Sequence, residues 1–337
     1  MTVREELERK EHETLDPSAA FSDRSRGRMR PLTEETEDVR TCYQRDTDRI
    51  VHCKAFRRLM HKTQVFLNPE GDHYRTRMTH TIEVARIGRT AARALRLNED
   101  LTEAAAMGHD LGHTPFGHAG EDALSDCLGK PFRHNEQSLR VVDVLENNGR
   151  GLNLSYEVRM AILGHTGDRI PETKEGKIVR LADRIAYVNH DIDDAIRAGI
   201  LKERELPHTT LTVLGESHSQ RINTLVNDLV HTSSQKGDID LSTDVANALQ
   251  ELRTFLFEKV YRNPVAKGEE VKAKDMLRRM YDYYIKNIDK LPADFQPQLS
   301  FEGLERTVCD YIAGMTDNYA VDKFSEISIP VGWHVRG

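Results

Sequence analysis

Residues 109–121 read H-D-L-G-H-T-P-F-G-H-A-G-E. The stretch leading into them, Thr102 to His109, is alanine-rich and apolar, the pattern of a buried helix. Gly112, Pro115 and Gly117 then interrupt helical propagation and force a turn. An imidazole and a carboxylate, His109 and Asp110, therefore stand side by side at the end of a buried helix. Three more ionisable groups, His113, His118 and Glu121, follow at once. Two distant residues complete a mixed nitrogen/oxygen ligand set with the central pair: His80 upstream and Asp183 downstream. Each lies in an apolar stripe at helical spacing. Residues 78–95 carry Met78, Ile82, Ala85, Ala92 and Leu95, and residues 177–198 carry Ile178, Leu181, Ile185, Val188, Ile192 and Ile196. Four donors on three helices suit a cation held in a bundle core. Mn²⁺, Fe²⁺, Mg²⁺, Co²⁺ and Zn²⁺ all fit such a set. Spare imidazole and carboxylate groups beside a cation point to water activation, and so to hydrolysis of a phosphate ester.

The same periodicity predicts helices over 135–145, 156–163, 219–231, 243–262, 267–287 and 301–325. Thr210 to Leu214 is the best strand-like run, and it is short. The polar stretches 202–218 and 233–242 read as linkers or flexible insertions, and 167–172 and Pro292 to Pro297 as loops. The expected fold class is all-α. It divides into an N-terminal arm (1–44), a catalytic helical core (45–200) and a C-terminal helical region that completes the core (201–337).

Bulk properties narrow the setting. The chain has 337 residues, enough for one large or two fused domains, with 38% apolar and 31% charged residues. Its net charge of −7 argues against bulk attraction to nucleic acid. The four cysteines have no CxxC spacing, so neither a thiolate metal site nor a disulfide framework is expected, and a reduced, cytoplasmic setting follows. The first residues are charged throughout, unlike a secretory leader, and no run approaches the roughly 18 apolar residues of a membrane span.

Several segments carry a resemblance. F-R-R-L-M-H-K-T-Q-V-F (56–66), R-T-R-M-T-H-T-I-E-V (75–84), the 109–121 stretch, H-N-E-Q-S-L (134–139), A-D-R-I-A-Y-V-N-H-D-I-D-D (182–194) and D-Y-I-A-G-M-T-D (310–317) resemble the dGTP triphosphohydrolase-like family of HD-domain, metal-dependent phosphohydrolases. The resemblance implies an HD-type helical core with additional C-terminal helices. It implies hydrolysis of deoxynucleoside triphosphates (dNTPs) at the α-phosphorus, giving deoxynucleoside and inorganic triphosphate. It also implies a homo-oligomer and a regulatory nucleotide at a subunit interface.

Roles follow residue by residue. His80, His109, Asp110 and Asp183 are the expected metal ligands. His118 and Glu121 are helical neighbours at i, i+3, so His118 is expected to transfer protons with Glu121 orienting it; the family carries a His and a Glu at these places. His113 is a second acid or a phosphate contact. Arg77, three residues before His80 on one helix face, can aim a bidentate cation at phosphate. By resemblance, Arg184 contacts phosphate, Tyr187 packs on the sugar and disfavours a 2′-hydroxyl, Asp191 with Gln64 binds the 3′-hydroxyl, and His134 lies near the phosphates. The motif 310–317 shows no chemistry in its spacing; Gly314 and Met315 suggest close helix packing.

R-S-R-G-R-M-R (24–30) holds four arginines in seven residues. It reads as a solvated arm, as an anion site at a subunit interface, or as a contact for single-stranded nucleic acid, which the lack of interleaved aromatics disfavours. Two functional classes compete with dNTP hydrolysis: an HD phosphohydrolase acting on a monophosphate or a signalling nucleotide, and a non-enzymatic nucleotide- or nucleic-acid-binding regulator.

Overall fold

The computed structural model describes residues 1–31, 38–64 and 75–330. Val65 and Phe66 of the 56–66 motif, residues 32–37 of the arm and residues 331–337 lie outside the described residues. The described residues form an all-α fold whose only β pairings are two isolated bridges, Arg28 with Ser155 and Thr63 with Thr76.

The first half runs through α1 (Val3–Thr14), α2 (Cys42–Val51), α3 (Lys54–Arg58), α4 (Arg77–Ala94), α5 (Glu99–Gly108), α6 (Gly117–Leu128), α7 (His134–Arg140), the short turn α8 (Glu146–Gly149), α9 (Tyr156–Gly164) and α10 (Lys174–Arg197). Their starts are chemically marked. The Asn98 side chain accepts the amides of Asp100 and Leu101 at 3.0 and 3.1 Å to open α5, and Thr173 Oγ1 accepts from Gly176 at 3.1 Å to open α10. At the centre α4, α5, α9 and α10 meet through small side chains: Val84, Ala85, Ala105, Ala106, Ala161, Val179, Ala182 and Ala186. Alanines let helix axes approach closely, which draws together the histidines and carboxylates that these helices carry.

The second half comprises α11 (His208–Leu214), α12 (His218–Lys236), α13 (Thr243–Leu256), α14 (Pro264–Lys286), α15 (Leu299–Glu302), α16 (Leu304–Ala313) and α17 (Asp317–Ser328). α11 to α13 close an apolar core with α10 through Ile185, Val188, Ile192, Leu225, Leu229 and Leu252. α14, α16 and α17 form another with α6, through Ala123, Leu124, Leu277, Met280 and Ile312.

Three sequence expectations need correction. Thr210 to Leu214 is helical, inside α11. Thr210 and Thr212 hydroxyls satisfy the carbonyls of Pro207 and His208 at 2.8 and 3.0 Å, and Leu214 is buried in the α10–α13 core with no neighbouring strand to pair with. The expected linkers 202–218 and 233–242 accordingly contain α11 and the end of α12. The expected helix 301–325 is broken twice. Gly303 takes φ +81°, and Thr316 caps a new helix by accepting from Tyr319 N at 3.3 Å. Two further helices widen into π-helical turns at 141–145 and 257–261.

The arginine-rich segment does not stand free in solvent. Arg28 is buried against Asp46 and donates to the carbonyls of Asn153 and Cys42 at 2.7 and 3.0 Å. Arg26 lies 3.7 Å over the Tyr156 ring, Arg24 covers Phe21, and Arg30 donates to the Arg150 carbonyl.

Candidate active site

The central pair is positioned by two glycines. At Gly108 a Cβ would come within 2.5 Å of Ile162 Cδ1, and at Gly112 within 2.1 Å of the Ser138 backbone nitrogen. The close approach at Gly112 lets Ser138 Oγ donate to the His109 carbonyl at 2.6 Å and accept from Gly112 N at 2.8 Å. α7 is thus fastened directly onto the end of α5.

His80, His109, Asp110 and Asp183 come together. His80 Nε2 lies 3.1 Å from Asp183 Oδ1, 3.8 Å from Asp110 Oδ2 and 3.4 Å from His109 Nε2. His109 Nε2 is 3.4 Å from Asp110 Oδ1 and 3.8 Å from Asp183 Oδ1. The donor chemistry fits a divalent cation. His109 Nδ1 donates to the Ala106 carbonyl at 2.6 Å, which fixes the tautomer and turns the Nε2 lone pair inward. Tetrahedral ligands at about 2.1 Å from an ion stand roughly 3.4 Å apart, the spacing of these donors. Burial alone would push the Asp110 carboxyl up, yet His109, His113 and Arg77 hold it well below its ordinary value. Asp183 is likewise depressed against burial by His80 and His109. Arg77 is buried and donates Nη1 to Asp110 Oδ2 at 3.1 Å, so it braces that carboxylate.

A second cluster adjoins. His113 Nε2 stands 3.2 Å from Asp110 Oδ1, and its ring stacks on His134 at 3.9 Å. Glu121 Oε1 accepts from His134 Nδ1 at 2.8 Å and lies 3.3 Å from His113 Nδ1. The expected His118–Glu121 pair is therefore replaced: Glu121 turns to the stacked His113 and His134, while the His118 ring sits 6.2 and 6.5 Å from theirs and the residue is exposed. Burial pushes His113 down to about 4, and dense surroundings push His118 down even though water reaches its ring. Burial also opposes the charged form of His134, but Glu121 outweighs it and raises that pKa.

α10 carries the remaining candidates. Asp183, Tyr187 and Asp191 recur at i, i+4 and i+8 along one face. Burial lifts Asp191 to about 6. Its Oδ1 is buried without a hydrogen bond but lies 3.3 Å from His190 Nε2, and Gln64 Oε1 is buried without a hydrogen bond. Arg184 is half-buried and makes no ion pair among the described residues. Three participants went unrecognised in the sequence. Tyr261, delivered by the π-turn after α13, donates to Asp191 Oδ2. His165 Nε2 meets His134 Nε2 at 3.2 Å, and the His190 ring packs edge-on against His80 at 5.0 Å. The available signals were a histidine between two glycines (Gly164 and Gly167) and a histidine immediately before Asp191.

The 310–317 motif is a clamp around this site. Asp310 takes Arg140 Nε and Nη2 at 2.9 and 2.6 Å and Gln137 Nε2 at 2.9 Å, tying α16 to α7. Asp317 accepts the amides of Phe116 and Thr63, each at 3.1 Å. Phe116 and Gly117 both have positive φ, 62° and 54°, in the turn that presents His118. Gly314 lies against Arg58, whose Nη1 donates to the Gly314 carbonyl at 3.1 Å.

Comparison with known proteins agrees with this geometry. The HD domain family matches residues 77–188, and the phosphohydrolase-associated domain matches residues 239–326. A deoxyguanosinetriphosphate triphosphohydrolase-like protein of Caldanaerobacter subterraneus subsp. tengcongensis is 55% identical over 99% of this chain and 98% of its own length. Proteins with the same description from Desulfatibacillum aliphaticivorans (98% of this chain, 99% of that one) and Clostridium perfringens (98% of each) are 48% and 49% identical. A solved structure of a hypothetical protein from Aquifex aeolicus aligns with 82% of this chain and 67% of its own at 17% identity, with a TM-score of 0.44. No helix among the described residues is long and apolar enough to cross a membrane. This chain is a metal-dependent phosphohydrolase that belongs to the deoxyguanosinetriphosphate triphosphohydrolase-like family.

Proposed function

We propose that the protein hydrolyses deoxynucleoside triphosphates at the α-phosphorus, releasing deoxynucleoside and inorganic triphosphate. The observation that carries this reading is the series along α10. A ligand candidate (Asp183), an aromatic wall (Tyr187) and a buried carboxylate whose Oδ1 makes no hydrogen bond and has His190 Nε2 at 3.3 Å (Asp191) follow one another on one face. A phosphate-binding end and a sugar-binding end are thereby set on a single rigid element.

His80, His109, Asp110 and Asp183 would hold a divalent cation, which supplies a Lewis acid for a phosphoryl oxygen and for the attacking water. Arg77, locked to Asp110, adds a fixed positive charge beside the phosphates. His118 is exposed and its pKa is lowered, so it would enter the reaction neutral and able to take a proton. His113 and His134 line the phosphate side. Tyr261 holds Asp191 Oδ2, and Oδ1, beside His190 Nε2, would accept a proton from the sugar hydroxyl, while the Gln64 amide N–H would donate to the same hydroxyl oxygen. Tyr187 supplies bulk against a 2′-hydroxyl, and Arg184 supplies a cation without a competing partner. A homo-oligomer with a regulatory nucleotide at a subunit interface belongs to the same reading.

The test is incubation with Mn²⁺ or Mg²⁺ and each dNTP, singly and pooled. Release of inorganic triphosphate is expected, and faster turnover of the pool would reveal a regulatory nucleotide. Monophosphate or pyrophosphate as product overturns the assignment of the 5′ oxygen as leaving group. Equal turnover of ribonucleotides overturns the sugar assignment and favours another nucleotide substrate.

A further inference from the structure

Glu83 stands one turn beyond His80 on α4, and its two oxygens are divided between two partners. Oε2 accepts from His190 Nδ1 at 2.7 Å, and Oε1 accepts from Arg75 Nε at 3.0 Å. Arg75 is fastened in turn to α10, its Nη1 donating to Asp194 Oδ1 at 3.1 Å. Burial would raise the Glu83 carboxyl, but His190 and Arg75 hold it down to about 2, so it is an anion that accepts from both. His190 therefore carries its hydrogen on Nδ1, and the orientation of its ring is set from outside its own helix.

The ring so fixed touches both ends of the site. It meets the His80 ring edge-on, with centroids 5.0 Å apart and planes at 90°. Its Nε2 lies 3.3 Å from Asp191 Oδ1, and both atoms are buried without a hydrogen bond. Tyr261 takes the other oxygen of Asp191. An aspartate on a helix has several staggered rotamers to choose from. Tyr261 at one oxygen and His190 at the other select one of them, so the direction left open to Oδ1 depends on where the His190 ring stands.

We infer that Glu83 is a positioning residue for sugar recognition: through His190 it fixes the Asp191 carboxylate so that Oδ1 meets the 3′-hydroxyl of a deoxynucleotide. The inference rests on Asp191 as the sugar contact proposed above. Glu83 is bonded to His190 and Arg75 and to none of the four metal donors. Its effect should therefore appear in discrimination between sugars and not in metal binding. A role in general packing would instead weaken every nucleotide alike. The Glu83 side chain is 38% exposed, so truncating it opens no buried cavity.

The experiment compares a dNTP with its 2′,3′-dideoxy analogue, which lacks only that hydroxyl, in the Mn²⁺-supplemented protein. Consumption of each is followed by chromatography to give kcat and KM separately, and bound metal is counted by elemental analysis. The wild type should prefer the dNTP by roughly tenfold or more in kcat/KM, the scale of one hydrogen bond to a charged acceptor. In Glu83→Ala the preference should shrink to about twofold or less, through a rise in KM for the dNTP that the dideoxy analogue does not share. Glu83→Gln, whose amide oxygen still accepts from Nδ1–H, should keep part of the preference. A wild-type preference in Glu83→Ala, an equal loss on both substrates, or loss of bound metal overturns the inference. If Glu83→Ala is unstable, Glu83→Asp, one methylene too short to reach Nδ1, decides by the same ratio. No preference in the wild type would sink the sugar role of Asp191 as well, whereas a preference that survives in the Glu83 variants sinks this inference alone.

Discussion

Replacing Asp317 with alanine tests whether the C-terminal motif acts on the catalytic turn. Asp317 is buried at the start of α17, and its two oxygens divide between a buried backbone amide, Phe116 N, and a half-buried one, Thr63 N, each at 3.1 Å. The Thr63 hydroxyl donates to the same carboxylate. A hydrogen bond to a charged acceptor contributes about 1.5–3 kcal/mol, so two lost amide bonds set an upper figure of about 6 kcal/mol. Water entering the truncated space recovers part of this, and a loss of about 3 kcal/mol is expected. At roughly 2 °C per kcal/mol for a chain of this size, melting falls by on the order of 6 °C. Asp317→Asn keeps one acceptor oxygen and should lose about half as much. Metal content should not change, because α4, α5 and α10 position the four donors and Asp317 bonds to none of them. Turnover should fall, because the Phe116–Gly117 turn sets the start of the helix carrying His118 and Glu121. Thermal unfolding, bound metal and triphosphate release are measured on one preparation. Unchanged melting, or metal lost in step with activity, refutes the reasoning.

Four further outcomes are expected. Asp183→Ala loses bound metal and activity together, and full metal content in that variant shows the ligand assignment to be wrong. His118→Ala retains metal while turnover drops by roughly 10²–10⁴-fold, the usual scale for one acid–base group; an unchanged kcat removes His118 from proton transfer. Tyr261→Phe raises KM for dNTPs by roughly fivefold, about one hydrogen bond, with metal content unaffected, and an unaltered KM shows that Asp191 needs no such support. Lys62→Met alters the pH dependence of stability. Burial and the nearby Arg58 push the Lys62 amine down to about 7, while its Nζ donates to the carbonyls of His113 and Ala313. Between about 7 and the ordinary lysine value of about 10.4 the unfolded chain holds the extra proton, so this group makes stability rise with pH across that window. The variant should lose that rise, while the carbonyls of His113 and Ala313 lose a donor; parallel pH profiles for the two proteins would contradict this.

The helical fold and the convergence of His80, His109, Asp110 and Asp183 were legible because helical periodicity and ligand chemistry are local properties of the sequence. α4, α5 and α10 begin within a few residues of the expected positions, as capping side chains and apolar stripes dictate. Other features depend on tertiary contacts. Thr210 to Leu214 has β-branched character, but burial of Leu214 among helices overrides it. The His118–Glu121 spacing is right for a pair on one helix face, yet stacked His113 and His134 capture the carboxylate from outside that helix. Tyr261 reaches Asp191 across 70 residues through a π-turn that no periodicity reveals. The aspartates of the 310–317 motif looked inert because their partners, Arg140, Gln137, Thr63 and Phe116, lie far away along the chain.

Hydrolysis in ¹⁸O-labelled water, followed by ³¹P NMR and mass spectrometry of both products, tests most directly whether metal donors and imidazoles converge on the α-phosphorus. The account predicts ¹⁸O in the released triphosphate and none in the deoxynucleoside. Label in the 5′-hydroxyl of the nucleoside would contradict attack at phosphorus, and a labelled nucleoside monophosphate would contradict departure of the 5′ oxygen.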